Sequence, residues 1–198
     1  ELVRQGLSPS SLNADTDIDY AYHFDAGKLA TIMKQHCVAG GMTHIIDTIE
    51  DVQTDGHNIR LLNTSKHGNL AADLFIDCSG FRGILAKQAL KRGYHSYANT
   101  LFNNAAVAIQ TPHRQHDVIA LQTRSNGLTH GWMWQIPLTS RVGNGYVYSK
   151  DFIDSEDAER ELRIQLGVSE NSDVSARHLD MRVGRLEQHW SGNCAAIG

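Results

Sequence analysis

The most distinctive residue spacing in this sequence is a tryptophan pair, Trp132 and Trp134, in the segment "GWMWQIPL". Side chains alternate between the two faces of a β-strand, so on a strand both indole rings would lie on one face. Pro137 has no N–H for a sheet ladder, so the strand ends there or runs along an edge. Two interpretations stay open: a tryptophan pair in the core, where buried aromatics dominate, or the wall of a pocket for a planar ligand.

A second segment of chemical interest is "DCSGFRG", which follows a continuous apolar stretch and precedes a predicted short helix over Ile84 to Leu90. It places Asp77 and Gly80 at the end of a predicted strand. Ligands bind at the strand ends of α/β sheets, and glycine lets a phosphate or ribityl group approach the backbone closely. A plain strand-to-helix turn explains the same residues, and this alternative also stays open.

The other reactive side chains lack suitable partners. His113 and His116 have the spacing H-x-x-H, but they lie in the polar stretch "TPHRQHD", so we interpret them as part of a solvated loop rather than a metal site. Cys78 has no neighbouring histidine or lysine to activate its thiol as a nucleophile. The phosphate-binding patterns G-x-G-x-x-G and G-x-x-x-x-G-K-[ST] do not occur. The residues alone predict an α/β ligand-binding domain with an aromatic-walled pocket and no visible catalytic group.

Composition limits the classes of protein that this chain can belong to. Its 198 residues are 41% hydrophobic and 20% charged, which suits a globular domain with a core. The net charge of −4, without blocks of like charge, disfavours a nucleic-acid or membrane-surface partner. The three cysteines are far apart and predict reduced thiols in a cytoplasmic protein. No apolar run approaches the roughly 20 residues that span a bilayer.

The first half of the sequence predicts a loop, a helix and a small sheet. Residues 1–19 lack periodicity and predict a connecting loop. Apolar residues recur at helical spacing after Asp25, and an amphipathic helix is expected to end at Gly40. The turn-forming segments "TDGHN" and "SKHGN" separate the strands of an antiparallel meander. The next strand, Leu74 to Ile76, is continuously apolar, which predicts a parallel strand covered on both faces.

The second half predicts an antiparallel sheet and a helix. The helix "SEDAERELRIQL" is expected to have Ser155 as its N-cap, Gly167 as its end and an ion pair between Glu159 and Arg163. The final segment "NCAAIG" predicts a buried strand. Four strand-like runs come before that helix and are expected to form the antiparallel sheet: "AAVAIQ", "DVIALQT", "GLTHGWMWQIPL" and "GNGYVYS".

Taken together, several segments resemble the flavin-dependent tryptophan halogenase family. Within them, Trp132-x-Trp134-x-Ile136-Pro137 matches the signature W-x-W-x-I-P, which distinguishes this family from related flavin monooxygenases. The resemblance covers the chain from about Tyr20 onward. It rests on "YAYHFDAGKLA", "ADLFIDCSGFRG", "AVAIQTP", "GWMWQIPL", "GNGYVYSKDF", "MRVGRLEQHW" and "NCAAIG".

The resemblance implies a mixed α/β fold, a segment of a two-domain FAD-binding flavoprotein of the glutathione-reductase and hydroxybenzoate-hydroxylase type. Parallel-sheet strands would be joined to an antiparallel sheet on the substrate side. The implied divisions are a connecting loop (1–19), part of the FAD-binding domain with its meander (20–92), the substrate-side sheet and helix (93–190), and a truncated return strand to the FAD-binding domain (191–198).

The resemblance also implies a chemistry. In the family, reduced FAD from a separate flavin reductase and oxygen oxidise a halide to hypohalous acid, which travels through a tunnel to an essential lysine beside tryptophan or another aromatic substrate. Trp132, Trp134, Ile136 and Pro137 would line the flavin and the tunnel. A homodimer is left open.

Implied cofactor contacts are Ile46, on the strand after the first helix, Asp77 and Gly80 at the next strand end, and Gly198 near the ribityl chain. The essential lysine and the G-x-G-x-x-G loop are expected before residue 1, and the glutamate of F-I-E-P-L-E-S after residue 198. No catalytic residue is therefore assigned. Lys28, Lys87 and Lys150 lie in segments where the family has no catalytic lysine, so none of them is taken as the catalytic lysine. The 198 residues alone are expected to be inactive.

Two alternatives accompany the halogenase hypothesis. A flavin-dependent aromatic monooxygenase would share the fold, but the W-x-W-x-I-P signature argues against it. A catalytically inactive binding domain is the other, since the catalytic lysine is missing from this segment. The substrate, the position of halogenation and the choice of chloride or bromide are not encoded in these residues.

Overall fold

The fold was analysed in a computed structural model, which describes Gln5, residues 20–114 and residues 118–197. The predicted loop over residues 1–19 lies almost wholly outside the described residues. The described helices and strands run in the order α1 (Ala26–Ala39), β1 (Ile49–Thr54), β2 (Ile59–Thr64), β3 (Gly68–Leu70), β4 (Phe75–Asp77), a 3₁₀ turn (Gly80–Arg82), a π-helix (Ile84–Ala89), β5 (Tyr94–Ser96), β6 (Ala105–Thr111), β7 (Arg124–Leu128), β8 (Gly131–Pro137), β9 (Val142–Tyr148), α2 (Ser155–Leu166), β10 (Ala176–Asp180), β11 (Gly184–Leu186), β12 (Trp190–Ser191) and β13 (Cys194–Ala196).

The chain divides into two compact units. One comprises the residues up to His36 together with Phe102–Met181, and the other comprises Cys37–Leu101 and the residues from Arg182 onward. The mixed α/β composition agrees with the expected fold class. The implied functional boundaries at residues 92 and 190 stay a prediction. In the described part of the chain, no helix is both long and apolar enough to cross a bilayer.

The first unit is built on a five-stranded antiparallel sheet in the order β10-β6-β9-β8-β7. Helix α2 packs on one face of this sheet, where Ala158 and Leu162 are fully buried. The core is completed from the sheet by alternate residues of the central strands, including Met133, Tyr146 and Tyr148. Because strand side chains alternate, the residues between these point to the opposite face.

The edge strand of this sheet differs from the prediction. The run "DVIALQT" is no strand over its described residues, 118–123, and Val118 is 90% exposed. Instead, the edge strand is β7 (Arg124–Leu128), which begins before the predicted run "GLTHGWMWQIPL" and pairs with β8 through a turn inside that run. The turn is fixed from outside: the Glu161 carboxylate accepts hydrogen bonds from the N–H and hydroxyl of Thr129, at 3.0 and 2.6 Å. The Tyr146 hydroxyl accepts from His130 N–H at 2.9 Å.

The second unit contains the predicted meander, β1-β2-β3, and a three-stranded sheet in the order β12-β13-β4. The pairing of β4 with β13 is parallel, as expected. The prediction that β4 is covered on both faces is wrong: Phe75 is buried, whereas Leu74 and Ile76 are about half exposed. Phe75 belongs to a buried cluster that includes Leu85 and Cys194.

Both long helices form where periodicity placed them. Asp25 Oδ1 accepts hydrogen bonds from Gly27 N and Lys28 N at 3.0 and 3.2 Å and so caps α1. The N-cap of α2 is Asp154 rather than the predicted Ser155, because the Asp154 carboxylate accepts from Asp157 N at 2.8 Å and leaves Ser155 as the first helical residue. The expected left-handed Gly167 ends α2.

This cap assignment gives a stability prediction. Asp154→Ala removes the acceptor for an orphan helix N–H and should lower the free energy of unfolding by about 1 kcal/mol. Ser155→Ala is the matched control and should change it by a few tenths at most, since alanine suits a helix interior. Urea unfolding followed by circular dichroism measures both. A larger loss for the serine variant would restore Ser155 as the cap.

Candidate functional site

Strand β8 carries the tryptophan pair on the face of the sheet that lies opposite α2. The ring centroids of Trp132 and Trp134 are 6.0 Å apart and their planes are inclined by 57°. Trp132 is 42% exposed and Trp134 is half-buried, whereas Met133 between them is 4% exposed and belongs to the core. The pair therefore lies outside the core that packs on α2. This geometry favours the pocket-wall interpretation.

We call Trp132, Trp134 and Ile136 the tryptophan face. Their cross-strand partners on β9 are Val147, Gly145 and Gly143, in that order. The two glycines have no side chains, so the sheet has free space beside Trp134 and Ile136. The Trp134 ring lies directly over Gly145. The intervening β9 residues are tyrosines and an asparagine that point into the core. One strand thus supplies bulk on one face and space on the other.

The end of the tryptophan strand is tied to the segment before α1. As predicted, β8 stops at Pro137. Its carbonyl oxygen lies 3.0 Å from His23 Nδ1, which must donate because a carbonyl only accepts. The other ring nitrogen, Nε2, lies 3.2 Å from the Thr123 hydroxyl. In the turn that follows, Arg141 pairs with Asp25 at 2.8 Å. The Lys28 N–H and Arg141 hold the pKa of Asp25 below its usual value.

The second unit contains a cavity of about 260 Å³ at the carboxyl ends of the parallel strands β4 and β13. This is the position where open α/β sheets bind ligands. Gly80 has a left-handed backbone (φ 60°) and no neighbouring atom within 4 Å of the place a Cβ would occupy, so its backbone is open to close approach. Its lining includes Asp77, Gly80, Lys87, Tyr94, Arg182 and Arg185.

Asp77 is buried at the edge of this cavity, and its carboxylate is saturated by its own loop. Oδ1 accepts from the N–H and hydroxyl of Ser79 at 3.0 and 2.5 Å, and Oδ2 accepts from Leu85 N and Ala86 N, both at 2.9 Å. Burial raises the pKa of Asp77, but these four hydrogen bonds outweigh it and hold the pKa below the usual value. Asp77 is therefore a stable anion that shapes the loop.

The helix predicted at Ile84 to Leu90 forms as a π-helix over Ile84–Ala89. Asp77 accepts from the N–H groups of Leu85 and Ala86 in its first turn. The Gly83 carbonyl accepts from both Lys87 N and Gln88 N, and the bond from Leu90 N to Leu85 O spans five residues. Short π-helical turns of this kind are frequent at functional sites.

Three cations lie beside the cavity, and the sequence patterns missed them. The Lys87 Nζ and the Arg182 guanidinium lie 5.5 and 5.9 Å from the centroid of the Tyr94 ring, and the Tyr94 hydroxyl donates to Arg182 O at 2.9 Å. Arg185 is the third. These residues are remote in sequence, so only the basic segment "MRVGR" hinted at them. Together they make the cavity suitable for an anionic group.

The remaining predicted residues are dispersed. Ile46 is 75% exposed and precedes β1, so the prediction that it lies on a strand is wrong; the strand begins at Ile49. Gly198 lies outside the described residues, next to Ile197 of the cavity lining. Of Lys28, Lys87 and Lys150, only Lys87 lines the cavity. Lys150 pairs with Asp180.

The candidate metal and thiol residues form no reactive cluster in the structure. His113 Nε2 lies 2.6 Å from the Leu138 carbonyl oxygen, and His116 lies outside the described residues. Cys78 is exposed and Cys194 is buried, and both are free thiols. Within residues 20–114 and 118–197, no group of three histidine, cysteine or acidic side chains could hold a metal ion.

The strand bearing W-x-W-x-I-P and the cavity at the parallel strand ends belong to a mixed α/β fold. The family model described as tryptophan halogenase matches residues 4–198, and the chain belongs to this family. It is 44% identical over 98% of its length to tryptophan 6-halogenase SttH from Streptomyces toxytricini, and 35% identical over 96% to tryptophan 7-halogenase RebH from Lentzea aerocolonigenes. It spans 37% and 36% of those two proteins, respectively.

Solved structures agree with this assignment. The crystal structure of SttH from Streptomyces toxytricini superimposes with a TM-score of 0.90 at 44% identity, over all of this chain and 40% of the other. BrvH, a flavin-dependent halogenase from Brevundimonas sp. BAL3, gives a TM-score of 0.88 at 34% identity, over all of this chain and 41% of the other. The chain thus corresponds to well under half the length of these relatives.

The saturated carboxylate gives a prediction with a defined pH dependence. Asp77→Asn turns an NH₂ group toward Leu85 N and Ala86 N and should lower the free energy of unfolding by about 2–4 kcal/mol at neutral pH. Because the folded pKa of Asp77 is lowered, its stabilisation is present above the unfolded pKa and lost as pH falls. The difference between variant and wild type should therefore shrink below about pH 4.

The measurement is urea unfolding of both proteins at neutral and acidic pH. Asp73→Asn is the matched control, since Asp73 is an exposed carboxylate two residues before β4. It should leave stability almost unchanged at every pH. A pH-independent loss for Asp77→Asn would show that the ionised carboxylate is not what the loop requires.

Proposed function

We propose that this chain is part of an FAD-dependent halogenase that uses reduced flavin, oxygen and a halide to halogenate tryptophan or another electron-rich aromatic compound. The observation that carries the proposal is the tryptophan face: a W-x-W-x-I-P strand that holds two indole rings 6.0 Å apart on the side of the sheet opposite its core. A pair needed only for stability would be expected inside the core. The names of SttH and RebH support the reaction class.

In this proposal, the tryptophan face contributes a rigid apolar surface. Trp132, Trp134 and Ile136 exclude water and the organic substrate from the oxidising cofactor, while Pro137 fixes the end of their strand. The His23 hydrogen bond to the Pro137 carbonyl holds that end in place. An enclosed apolar site also limits side reactions of an oxidising species.

The cavity beside Asp77 fits one segment of FAD. At about 260 Å³ it is smaller than the roughly 300–1,000 Å³ clefts that hold drug-sized ligands, so it suits a phosphate or ribityl portion rather than the whole dinucleotide. Gly80 would let that portion approach the backbone, and Lys87, Arg182 and Arg185 would balance its negative charge. Asp77 would hold the loop rather than the ligand. When bound in its reduced form, FAD would activate oxygen, which would be the oxidant of the halide.

The proposal also covers the architecture, the location and the electron source of the whole protein. The architecture would be the two-domain flavoprotein type related to glutathione reductase and hydroxybenzoate hydroxylase, with a cytoplasmic location and a separate flavin reductase as electron source. The catalytic lysine and glutamate would come from outside the 198 residues. A flavin monooxygenase is less well supported, because the family match is to tryptophan halogenase over residues 4–198.

Trp134→Phe tests the proposal in the full-length protein that contains this chain. Phenylalanine keeps most of the apolar surface, so the thermal midpoint should stay nearly unchanged. Halogenated product per reduced flavin should nevertheless fall and hydrogen peroxide should rise, because a smaller ring would exclude water from the oxidising cofactor less completely. Product and peroxide are quantified with reduced flavin supplied by a separate reductase.

Two outcomes would count against it. If the variant keeps the parental ratio of product to peroxide while its melting temperature drops sharply, the tryptophan is there for stability. If the parent forms oxygenated rather than halogenated product with halide present, the monooxygenase alternative holds. Val147→Ile, on the neighbouring strand beside Trp132, is a control that adds volume without removing a ring.

A further inference from the structure

We propose that Gly145 is a positioning residue of the tryptophan face, because the space left by its missing side chain is the slot that sets the position and tilt of the Trp134 ring. The inference rests on the proposed function for the consequence of that ring position, but its structural part stands by itself. It assigns a role to a glycine that lies outside the W-x-W-x-I-P signature.

The contact is direct. A Cβ added to Gly145 would lie 2.0 Å from Trp134 Cζ2, 2.1 Å from Cη2 and 2.5 Å from Cε2, which are distances that non-bonded carbon atoms do not reach. These atoms belong to the six-membered part of the indole, so the whole ring rests over the glycine. Residues 134 and 145 are also direct cross-strand partners. Cross-strand pairs are the closest side-chain neighbours in a sheet.

The backbone of Gly145 does not explain the glycine. Its φ is not among the left-handed glycine values, so its extended strand conformation is open to any residue. Glycine in the middle of a strand weakens it, since there is no side chain to pack and more chain entropy is lost on folding. Glycine at position 145 therefore weakens the sheet. The Trp134 ring, which leaves no room for a Cβ there, explains why a glycine is present.

Gly143 provides a matched control two residues earlier on the same strand and the same face. It lies opposite Ile136, and a Cβ placed there would be 3.8 Å from the nearest atom, the Ile136 carbonyl oxygen. Alanine therefore fits at position 143. The two glycines share strand, face and backbone type and differ in the ring that covers only Gly145.

The consequence of filling the slot is a change in the tryptophan pair. An alanine at position 145 would force the Trp134 ring to tilt or lift, and the separation of 6.0 Å and the 57° inclination from Trp132 would change with it. Two indoles this close couple their excited states, and the sign and size of the resulting circular dichroism couplet depend on that geometry. The couplet reports ring position independently of activity.

The test compares the couplet of the full-length protein with those of Gly145→Ala, Gly143→Ala and Trp132→Phe, the last of which defines the spectrum without a pair. We expect Gly145→Ala to lose more than half of the couplet or invert it, and Gly143→Ala to retain it. If Gly145→Ala folds and keeps the parental couplet, the inference is overturned.

A second measurement holds even if Gly145→Ala alone does not fold. On a Trp134→Leu background the slot is no longer covered by an indole, so adding Gly145→Ala should shift the thermal midpoint little or raise it. In the parent the same change should lower the midpoint clearly. The positioning role of Gly145 would be refuted if Gly145→Ala lowered the thermal midpoint equally on both backgrounds. It would also be refuted if the double variant failed to fold while Trp134→Leu folded.

The yield of halogenated product separates this inference from the proposed function. A changed couplet together with a lower ratio of product to peroxide supports both. A changed couplet with an unchanged ratio supports the positioning role of Gly145 and counts against a wall function for Trp134. The spectrum and the thermal midpoints decide the inference, and the ratio decides the function.

Discussion

The strict alternation of side chains across β8 and β9 is the constraint on which the first unit depends. One register pairs Met133 with Tyr146 on the inner face and Trp134 with Gly145 on the outer face. A slip of β8 by one residue would turn its indoles toward α2 and expose Met133. The hairpin turn at Thr129 and His130 therefore secures the core and the outer face together, and the Glu161 carboxylate on α2 is what holds that turn.

A buried carboxylate has the corresponding role in the second unit. Asp77 ends β4 and accepts four hydrogen bonds, two from Ser79 and two from the first turn of the π-helix. Buried charges persist only where they are fully hydrogen-bonded, so the loop and the carboxylate require each other. The cavity beyond this loop is lined by Asp77 and by Gly80, whose backbone is open to close approach.

Membership of the tryptophan halogenase family connects these two units to one chemistry in the proposed function. Within it, neither unit supplies an assigned catalytic residue. The first offers an apolar aromatic surface, and the second offers glycine and cationic groups at parallel strand ends. In the proposed function both are binding and positioning elements, and the chain spans 37% of the halogenase SttH.

The sequence by itself determined the elements whose signals are local. The period of two in "GWMWQIPL" placed both tryptophans on one face, the helical periodicity after Asp25 and before Gly167 gave α1 and α2, and Asp-Gly and His-Gly gave the meander turns. Such signals act within a few residues, where propensity and alternation suffice. The motif W-x-W-x-I-P also indicated the family, which the comparison confirmed.

Only the tertiary structure decided the features that depend on distant partners. The run "DVIALQT" had strand-like composition, yet the pairing went to Arg124–Leu128, because Glu161, 32 residues from Thr129, fixed the turn. The convergence of Lys87, Tyr94 and Arg182 on one cavity has no sequence pattern, since the contacts cross most of a unit. The need for Gly145 rather than alanine arises from an indole on the neighbouring strand. Periodicity gives the face on which a side chain lies, whereas packing alone gives what it touches.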